Sequence, residues 1–464
     1  MAQEDGSGLA LGETERKLGG SSDDRVRWRC RWPDASLPGV RVSAGDPARA
    51  PAAEPAAARD GFRAWLNRRL PVDKFISSQL TGYFAPKNFN FWYFFGSLAM
   101  LVLVMQILTG IFLTMYYRPS DAFGSVQFIM REVDWGWLIR YMHSTGASLF
   151  FVVIYLHMFR GLLYGSYRRP RELLWVIGML VYLALMAEAF MGYVLPWGNM
   201  SFWGAQVIIN LFGTIPGIGP ALTQLISGDF GVSRFTLDRL FALHVAAVPI
   251  VLLLLLLVVL HMVALHQVGS NNPDGIEIHA HLGPDGKPLD GIPFHPYYTV
   301  KDIFGVGVFL IVFALIVFYI PTFHGLFLES ANFTPHNPLS TPSDIHPVWY
   351  FTPFYAILRA VPSKGGGAFL LLMALVSLIL LPWLDRSPVK SIRYKGWITR
   401  VALAVFVLSF VGLGYLGMQP VRPMVVVMSR ICVIGYFAFF WLMPLYSRWD
   451  RVKPVPERVV YHAH

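Results

Sequence analysis

Along the chain, apolar runs long enough to cross a bilayer alternate with short polar stretches that are mostly basic. A crossing helix needs about 20 apolar residues, and such runs fall at about 92–116, 138–159, 174–196, 240–265, 303–321, 368–384, 400–418 and 425–446. The pattern predicts an all-α polytopic membrane protein of eight transmembrane helices. Ahead of them, residues 61–90 mix Trp65, Leu66, Phe75 and Ile76 with Lys and Arg, as an amphipathic helix in the membrane interface would. Residues 1–60 carry no apolar periodicity and approach low complexity at Pro51–Ala58, which predicts a disordered or weakly ordered extension. That extension has no apolar signal-peptide core.

The polar stretches orient the spans. Arg160, Arg168, Arg169 and Arg171 follow the second span; Arg386, Lys390, Arg393, Lys395 and Arg400 follow the sixth; Arg448, Arg451 and Lys453 follow the eighth. Positive loops stay inside, so these segments and both termini are expected on the cytoplasmic side. The loop after the fourth span is acid-rich and fits the rule poorly; its neighbours force its side. Composition adds little that is new: of 464 residues, 55% are hydrophobic and only 14% charged, as a membrane protein requires. The net charge of +10 sits mainly in the N-terminal tail and the short loops, which excludes a nucleic-acid footprint. Cys30 and Cys432 are too far apart in sequence to suggest a disulfide scaffold.

Two spans carry candidate chemistry. A histidine in hydrocarbon is a functional-site hypothesis by default, and the second span has His143 and His157, the fourth His244 and His261. His143 and His157 are 14 residues apart, which on a helix is about 40° in azimuth and about 21 Å in height. They share a face near opposite membrane surfaces. The second and fourth spans run in the same direction, so His143 pairs with His244 on the outer side and His157 with His261 on the cytoplasmic side. Paired neutral imidazoles suit iron and would hold two stacked haems. Without a Cys-x-x-Cys-His sequence, these haems are non-covalent. Glycines repeat the interval: Gly96 and Gly110 in the first span, Gly178 and Gly192 in the third, each pair again 14 apart, as if flat groups pressed on both helices.

The fourth span breaks the symmetry, because His244 and His261 are 17 apart. On a regular helix that is about 100° in azimuth rather than about 40°. Pro249 and the featureless run Leu252–Leu257 therefore predict a kink or π-type bulge between about 249 and 257.

From about residue 62 onward the chain resembles cytochrome b, the diheme subunit of ubiquinol:cytochrome c oxidoreductase. The matching stretches are Phe95–Leu98, Gln106–Gly110, Arg140–Ser148, Met191–Gly198, Gly269–Pro273 and Pro293–Tyr298. The resemblance implies a diheme bundle of the first four helices within 61–270, and a second domain over 271–464 with four helices and a quinol-oxidation loop. It implies that Arg140 and Arg160 neutralise haem propionates, joined by Ser166 and Trp175 at the cytoplasmic haem. It places quinone reduction at His266, Ser270, Lys301 and Asp302. Quinol oxidation falls to Gly192–Trp197, including Tyr193, to Gly204, to Pro347, Val348, Trp349 and Tyr350, and to Tyr355. The amphipathic segment Phe202–Phe212 matches a docking surface for the Rieske iron–sulfur protein.

The implied partners are that protein, cytochrome c1, quinone, membrane lipid and a second copy of the complex. The implied location is a bacterial inner membrane. One electron of each quinol leaves to the Rieske centre and the other crosses both haems, against a membrane potential that costs about 2.3 kcal/mol per charge per 100 mV.

One departure from the family concerns protons. Where Pro-Glu-Trp-Tyr is common, this chain has Pro347-Val348-Trp349-Tyr350, and valine accepts no proton. His346 is the expected replacement, with Tyr193, whose reference pKa is about 10, as the weaker one. Two other classes share parts of the pattern. A diheme anchor of a dehydrogenase would be shorter and lack both quinone-site motif sets; a transporter would show internal repeats and broken helices.

Overall fold

The computed structural model describes residues 62–79, 81–245, 250–342 and 344–460. The chain divides into Met1–Trp65 and Leu66–His464, so the expected N-terminal extension lies outside the described residues. Two short helices, α1 (Phe62–Arg69) and α2 (Val72–Gln79), open the description, and both leave large apolar side chains exposed, among them Phe62, Phe75 and Ile76.

Among the described residues, seven helices are long and apolar enough to cross a membrane. They are α3 (Phe94–Thr114), α5 (Gly136–Tyr164), α6 (Glu172–Val194), α11 (Tyr297–Tyr319), α13 (Lys364–Leu384), α14 (Trp397–Gly417) and α15 (Pro423–Trp441), numbered in chain order with the shorter elements below. They answer to all the expected spans but the fourth. That one is covered by α9 (Arg234–Val245) and α10 (Leu252–Val268), with 246–249 outside the described residues, and Ile250 and Val251 just before α10 have π-helical backbone. The predicted interruption is thus present; Pro249 itself lies outside the described residues. Short helices that periodicity did not isolate run along the bundle ends: α4 (Ala122–Arg131), α8 (Gly219–Ser227), α12 (Thr352–Arg359) and α16 (Met443–Trp449). The amphipathic segment at Phe202–Phe212 is part of α7 (Asn199–Phe212).

Local chemistry sets the helix limits. α5 begins after Trp135 and ends at Gly165, both left-handed, with φ of 61° and 68°. Gly165 is needed twice over, because an added Cβ would also lie 2.6 Å from the Lys390 carbonyl oxygen. Ser363 caps α13 by accepting the Gly366 N–H. Helix α5 packs on α3, α6 on α10, and α14 on α12 and α15. The stacking of Phe151 on Tyr350, ring centroids 3.9 Å apart, and the Tyr155 hydroxyl donating to the Tyr350 carbonyl at 2.6 Å join α5 to the turn before α12. The first half of the bundle is thereby fixed to the second.

Strands β1 (Phe84–Pro86) and β2 (Gly291–Pro293) pair antiparallel at the bundle end that carries the basic loops. Here the acid-rich loop finds its partners. Asp274 takes Arg393 at 3.0 Å; Glu277 takes Arg171 and Lys390, both at 2.6 Å; Asp290 takes Lys87 at 2.8 Å and Arg458 at 2.6 Å. Beside them Asp385 pairs with Lys395 at 2.6 Å. The acids that fitted the positive-inside rule poorly are counterions for the basic residues that obeyed it. Burial opposes their ionisation, yet hydrogen bonds from Arg458 and Lys87 hold Asp290 well below the usual carboxylate range. Arg171 with Lys390 lowers Glu277, and Lys395 with Arg168 lowers Asp385, in both cases against burial.

Candidate functional site

Helices α3, α5, α6 and the α9–α10 pair bring the four span histidines into two layers. His143 of α5 faces His244 of α9, and His157 of α5 faces His261 of α10, with ring centroids 6.4 Å apart in each layer. The π-type turn performs this phasing, since a regular helix would put His261 on another face. Each ring also meets a glycine. A Cβ at Gly110 would lie 3.3 Å from His143 Cε1, and one at Gly96 3.5 Å from His157 Cε1. At Gly192 and Gly178 it would lie 2.6 Å from His244 Cε1 and 3.0 Å from His261 Cε1.

Both layers fit a metal held between two imidazoles. Ligand nitrogens about 2 Å from a central metal, the length of a metal–imidazole bond, leave facing ring centroids about 6 Å apart, as found. Buried polar atoms point the same way. His157 Nδ1 has no hydrogen-bond partner among the described residues, and Arg160 Nε, also buried, has none. Arg160 lies over the Tyr93 ring at 5.0 Å. Trp175 donates its indole N–H to the Leu378 carbonyl at 2.8 Å. The Ser166 hydroxyl oxygen accepts from Asn271 Nδ2 at 3.3 Å.

At the basic-loop end, Tyr83 joins two of the expected quinone residues. Its hydroxyl lies 2.8 Å from Ser270 Oγ and its ring 4.7 Å from the His266 ring. The sequence reading passed Tyr83 over because it precedes the first span, and only the β1–β2 pairing carries it to Ser270. Lys301 Nζ stands over the Tyr298 ring at 5.1 Å, and Ser97 of α3, near Asp302, donates its hydroxyl to the Phe94 carbonyl at 2.9 Å. These residues are joined through rings, Tyr83 to Phe294 at 6.2 Å and Phe294 to Tyr298 at 6.1 Å.

At the opposite end, the Tyr193 hydroxyl donates to Glu329 Oε2 at 2.5 Å. Asn332 donates to both, at 3.1 Å to the Tyr193 oxygen and 2.9 Å to the same carboxylate oxygen. Glu329 is 7% exposed, and burial raises its carboxyl above the usual range, outweighing the hydrogen bond from Tyr193 and the nearby His346. Val348 is buried, Trp349 Nε1 donates to Ser148 at 3.3 Å, and the Tyr355 hydroxyl donates to the Ile345 carbonyl at 2.9 Å. His346 Nδ1 donates to the Pro347 carbonyl at 3.1 Å. Gly204 lies against the Tyr193 ring. Glu329 was not singled out in the sequence, although a lone acid closing the apolar run Leu326-Phe327-Leu328 was a readable signal.

A helical membrane bundle with two paired-histidine layers and a polar cluster at each end defines a transmembrane electron carrier. Two family descriptions cover most of it: cytochrome b/b6/petB over residues 80–269, and the C-terminal cytochrome b/b6/petD part over 335–437. The chain is 58% identical to a cytochrome b of Allochromatium vinosum over 85% of its own length and 97% of that protein's. It is 49% identical to one of Rickettsia prowazekii over 86% and 97%. Its fold is similar to a chain of a hyperthermophilic respiratory complex III, with TM-score 0.76, 38% identity, and 83% and 98% of the two chains covered. The chain belongs to the cytochrome b family. Its function is that of the electron-transferring, quinone-binding cytochrome b of respiratory complex III, a subunit of quinol:cytochrome c oxidoreductase, and the family binds two b haems.

Proposed function

We propose that His143 and His244 ligate one haem iron and His157 and His261 the other, with Gly110, Gly192, Gly96 and Gly178 leaving room for the two macrocycles. The ring pairing in two layers carries this reading. Arg140 and Arg160 are the cations for the propionates, with Ser166 as a donor beside Arg160. When bound, the haems supply one-electron transfer at two depths of the membrane. The chain contributes ligand geometry, counter-charge and a dry path, and both substrate sites.

At one end Tyr193, Gly204, Pro347–Tyr350 and Tyr355 enclose a quinol. Each quinol gives up two electrons and two protons, one electron to a Rieske protein docked on Phe202–Phe212 and one inward. Glu329, rather than a residue at 348, takes one proton at its carboxylate. A buried acid with a raised pKa is matched to proton transfer near neutral pH. His346 stands beside it as the next group outward. At the other end Tyr83, His266, Ser270, Lys301 and Asp302 hold a quinone and deliver its protons. This end is cytoplasmic, both termini are inside, the split α9–α10 helix is the eighth span, and the chain falls into domains 61–270 and 271–464. The assembly is a homodimeric complex with cytochrome c1 and lipid in a bacterial inner membrane.

A haem count tests the ligand set. In the purified complex, a reduced-minus-oxidised spectrum with pyridine haemochrome quantitation gives two b haems, and His157→Ala and His244→Ala each remove one. Two haems retained in either variant refute the assignment.

A further inference from the structure

Among the four imidazoles of the two layers, His244 alone is held by a carboxylate. Its Nδ1 lies 2.8 Å from Glu188 Oε1, and the two side chains are only 16% and 15% exposed. The same nitrogen is 3.1 Å from the Glu188 carbonyl oxygen, so backbone and side chain of one residue converge on it. Glu188 lies one turn before Gly192 on α6, on the helix that presents that glycine to the same ring. Its other oxygen, Oε2, is buried without a partner among the described residues. The remaining ligands are held more weakly: His143 Nδ1 meets the neutral Thr109 hydroxyl at 2.9 Å, and neither His157 Nδ1 nor His261 Nδ1 has a hydrogen-bond partner among the described residues.

We propose that Glu188 is a positioning residue for the haem held between His143 and His244, and that it lowers the midpoint potential of that haem relative to the other. The inference rests on the ligand assignment above. A carboxylate that accepts the Nδ1–H fixes the tautomer in which Nε2 is free for iron, orients the ring and makes the imidazole a more basic ligand. Its negative charge in a low-dielectric interior also favours ferric iron, which carries one more positive charge than ferrous. Each layer has one arginine nearby, Arg140 beside His143 or Arg160 beside His157, so the arginines do not distinguish the layers and Glu188 does. An electron entering at the Tyr193–Glu329 end then moves downhill toward the His157–His261 layer.

Redox titration of the b bands in the purified complex tests this with Glu188→Gln and Glu188→Ala. In Glu188→Gln, the ferric-to-ferrous ratio of one haem at fixed potential falls about tenfold, which for one electron is a rise of about 59 mV. The second haem does not move. In Glu188→Ala the same haem shifts and its ferric EPR signal changes, because the ring has lost its side-chain anchor. Loss of that haem alone in Glu188→Ala supports the positioning role. Unmoved midpoints in Glu188→Gln, together with an unchanged EPR signal in Glu188→Ala, overturn the inference. His244→Ala separates the two readings: if it keeps both haems the ligand assignment fails, whereas if it loses one while the Glu188 variants match the parent, only the role of Glu188 fails.

Discussion

The two ends of the bundle put carboxylates to opposite uses. At the Tyr193 end, Glu329 is buried and hydrogen-bonded by a hydroxyl and an amide, with no ion-pair contact to a basic side chain among the described residues, and burial raises its pKa. At the basic-loop end, Glu277, Asp290 and Asp385 each meet one or two cations within 3 Å, and their pKa values fall. The difference lies in the partner rather than in the acid. A neutral donor leaves a buried carboxyl free to gain and lose a proton, while a cation fixes its charge and turns it into a clamp. On the proposed reading Glu329 passes a proton, whereas Glu277, Asp290 and Asp385 hold loops together.

The sharpest way to break this comparison is to remove the charge at the proton-handling end. Glu329→Gln keeps the shape and the acceptor for Tyr193 but accepts no proton, so steady-state quinol oxidation falls about a hundredfold or more with haem content unchanged. Adding Val348→Glu restores much of the loss if a carboxyl at either position serves. Turnover within a factor of two of the parent in Glu329→Gln removes this acid from the mechanism.

At the clamped end the expected loss is stability instead of turnover. Arg171, 2% exposed, donates to Glu277 and to the Gly269 carbonyl. Arg171→Ala leaves those acceptors short of a donor and costs about 3 kcal/mol, the low end for breaking a buried pair, because Lys390 still serves Glu277. A thermal melt of the detergent-solubilised complex reads this as a lower unfolding temperature. The same melt, unchanged, would reduce the network to decoration.

Acid titration sharpens the contrast through its sign. Depressed carboxyls such as Asp290, Glu277 and Asp385 contribute stability above their unfolded pKa, near about 4, and lose it as pH falls through the lower folded values. Glu329, raised, works the other way: its cost to the folded state appears as pH climbs from about 4 toward its folded pKa. Acid therefore loosens the basic-loop end first, and hydrogen exchange at pH about 3–4 finds faster exchange at residues 271–293 than around Glu329. The smallest effect belongs to His346. With Glu329 in place as the first proton acceptor, His346→Ala slows quinol oxidation only several-fold. A hundredfold loss would return the principal role to His346.

Much of this was legible in the amino-acid sequence, for a simple reason. A bilayer demands long apolar helices and penalises polar exceptions, so spans, intramembrane histidines and the glycines at matching intervals stand out in one dimension. Even the defect in the fourth span could be inferred, since 17 residues cannot keep the phase of 14 on a regular helix. The partners of those residues were not legible. Glu188 and Glu329 stand out as acids within or beside apolar runs, but nothing in one dimension says that α6 and α9 will pack to set Glu188 on His244 or that Tyr193 and Asn332 will close on Glu329. Tyr83 reaches Ser270 across 187 positions of sequence, through a three-residue strand that no periodicity announces. Periodicity along one helix determines which face a residue takes; which side chain meets it there depends on how helices distant in sequence pack, and that contact decided whether each carboxylate became a clamp, a proton acceptor or an anchor for a ligand.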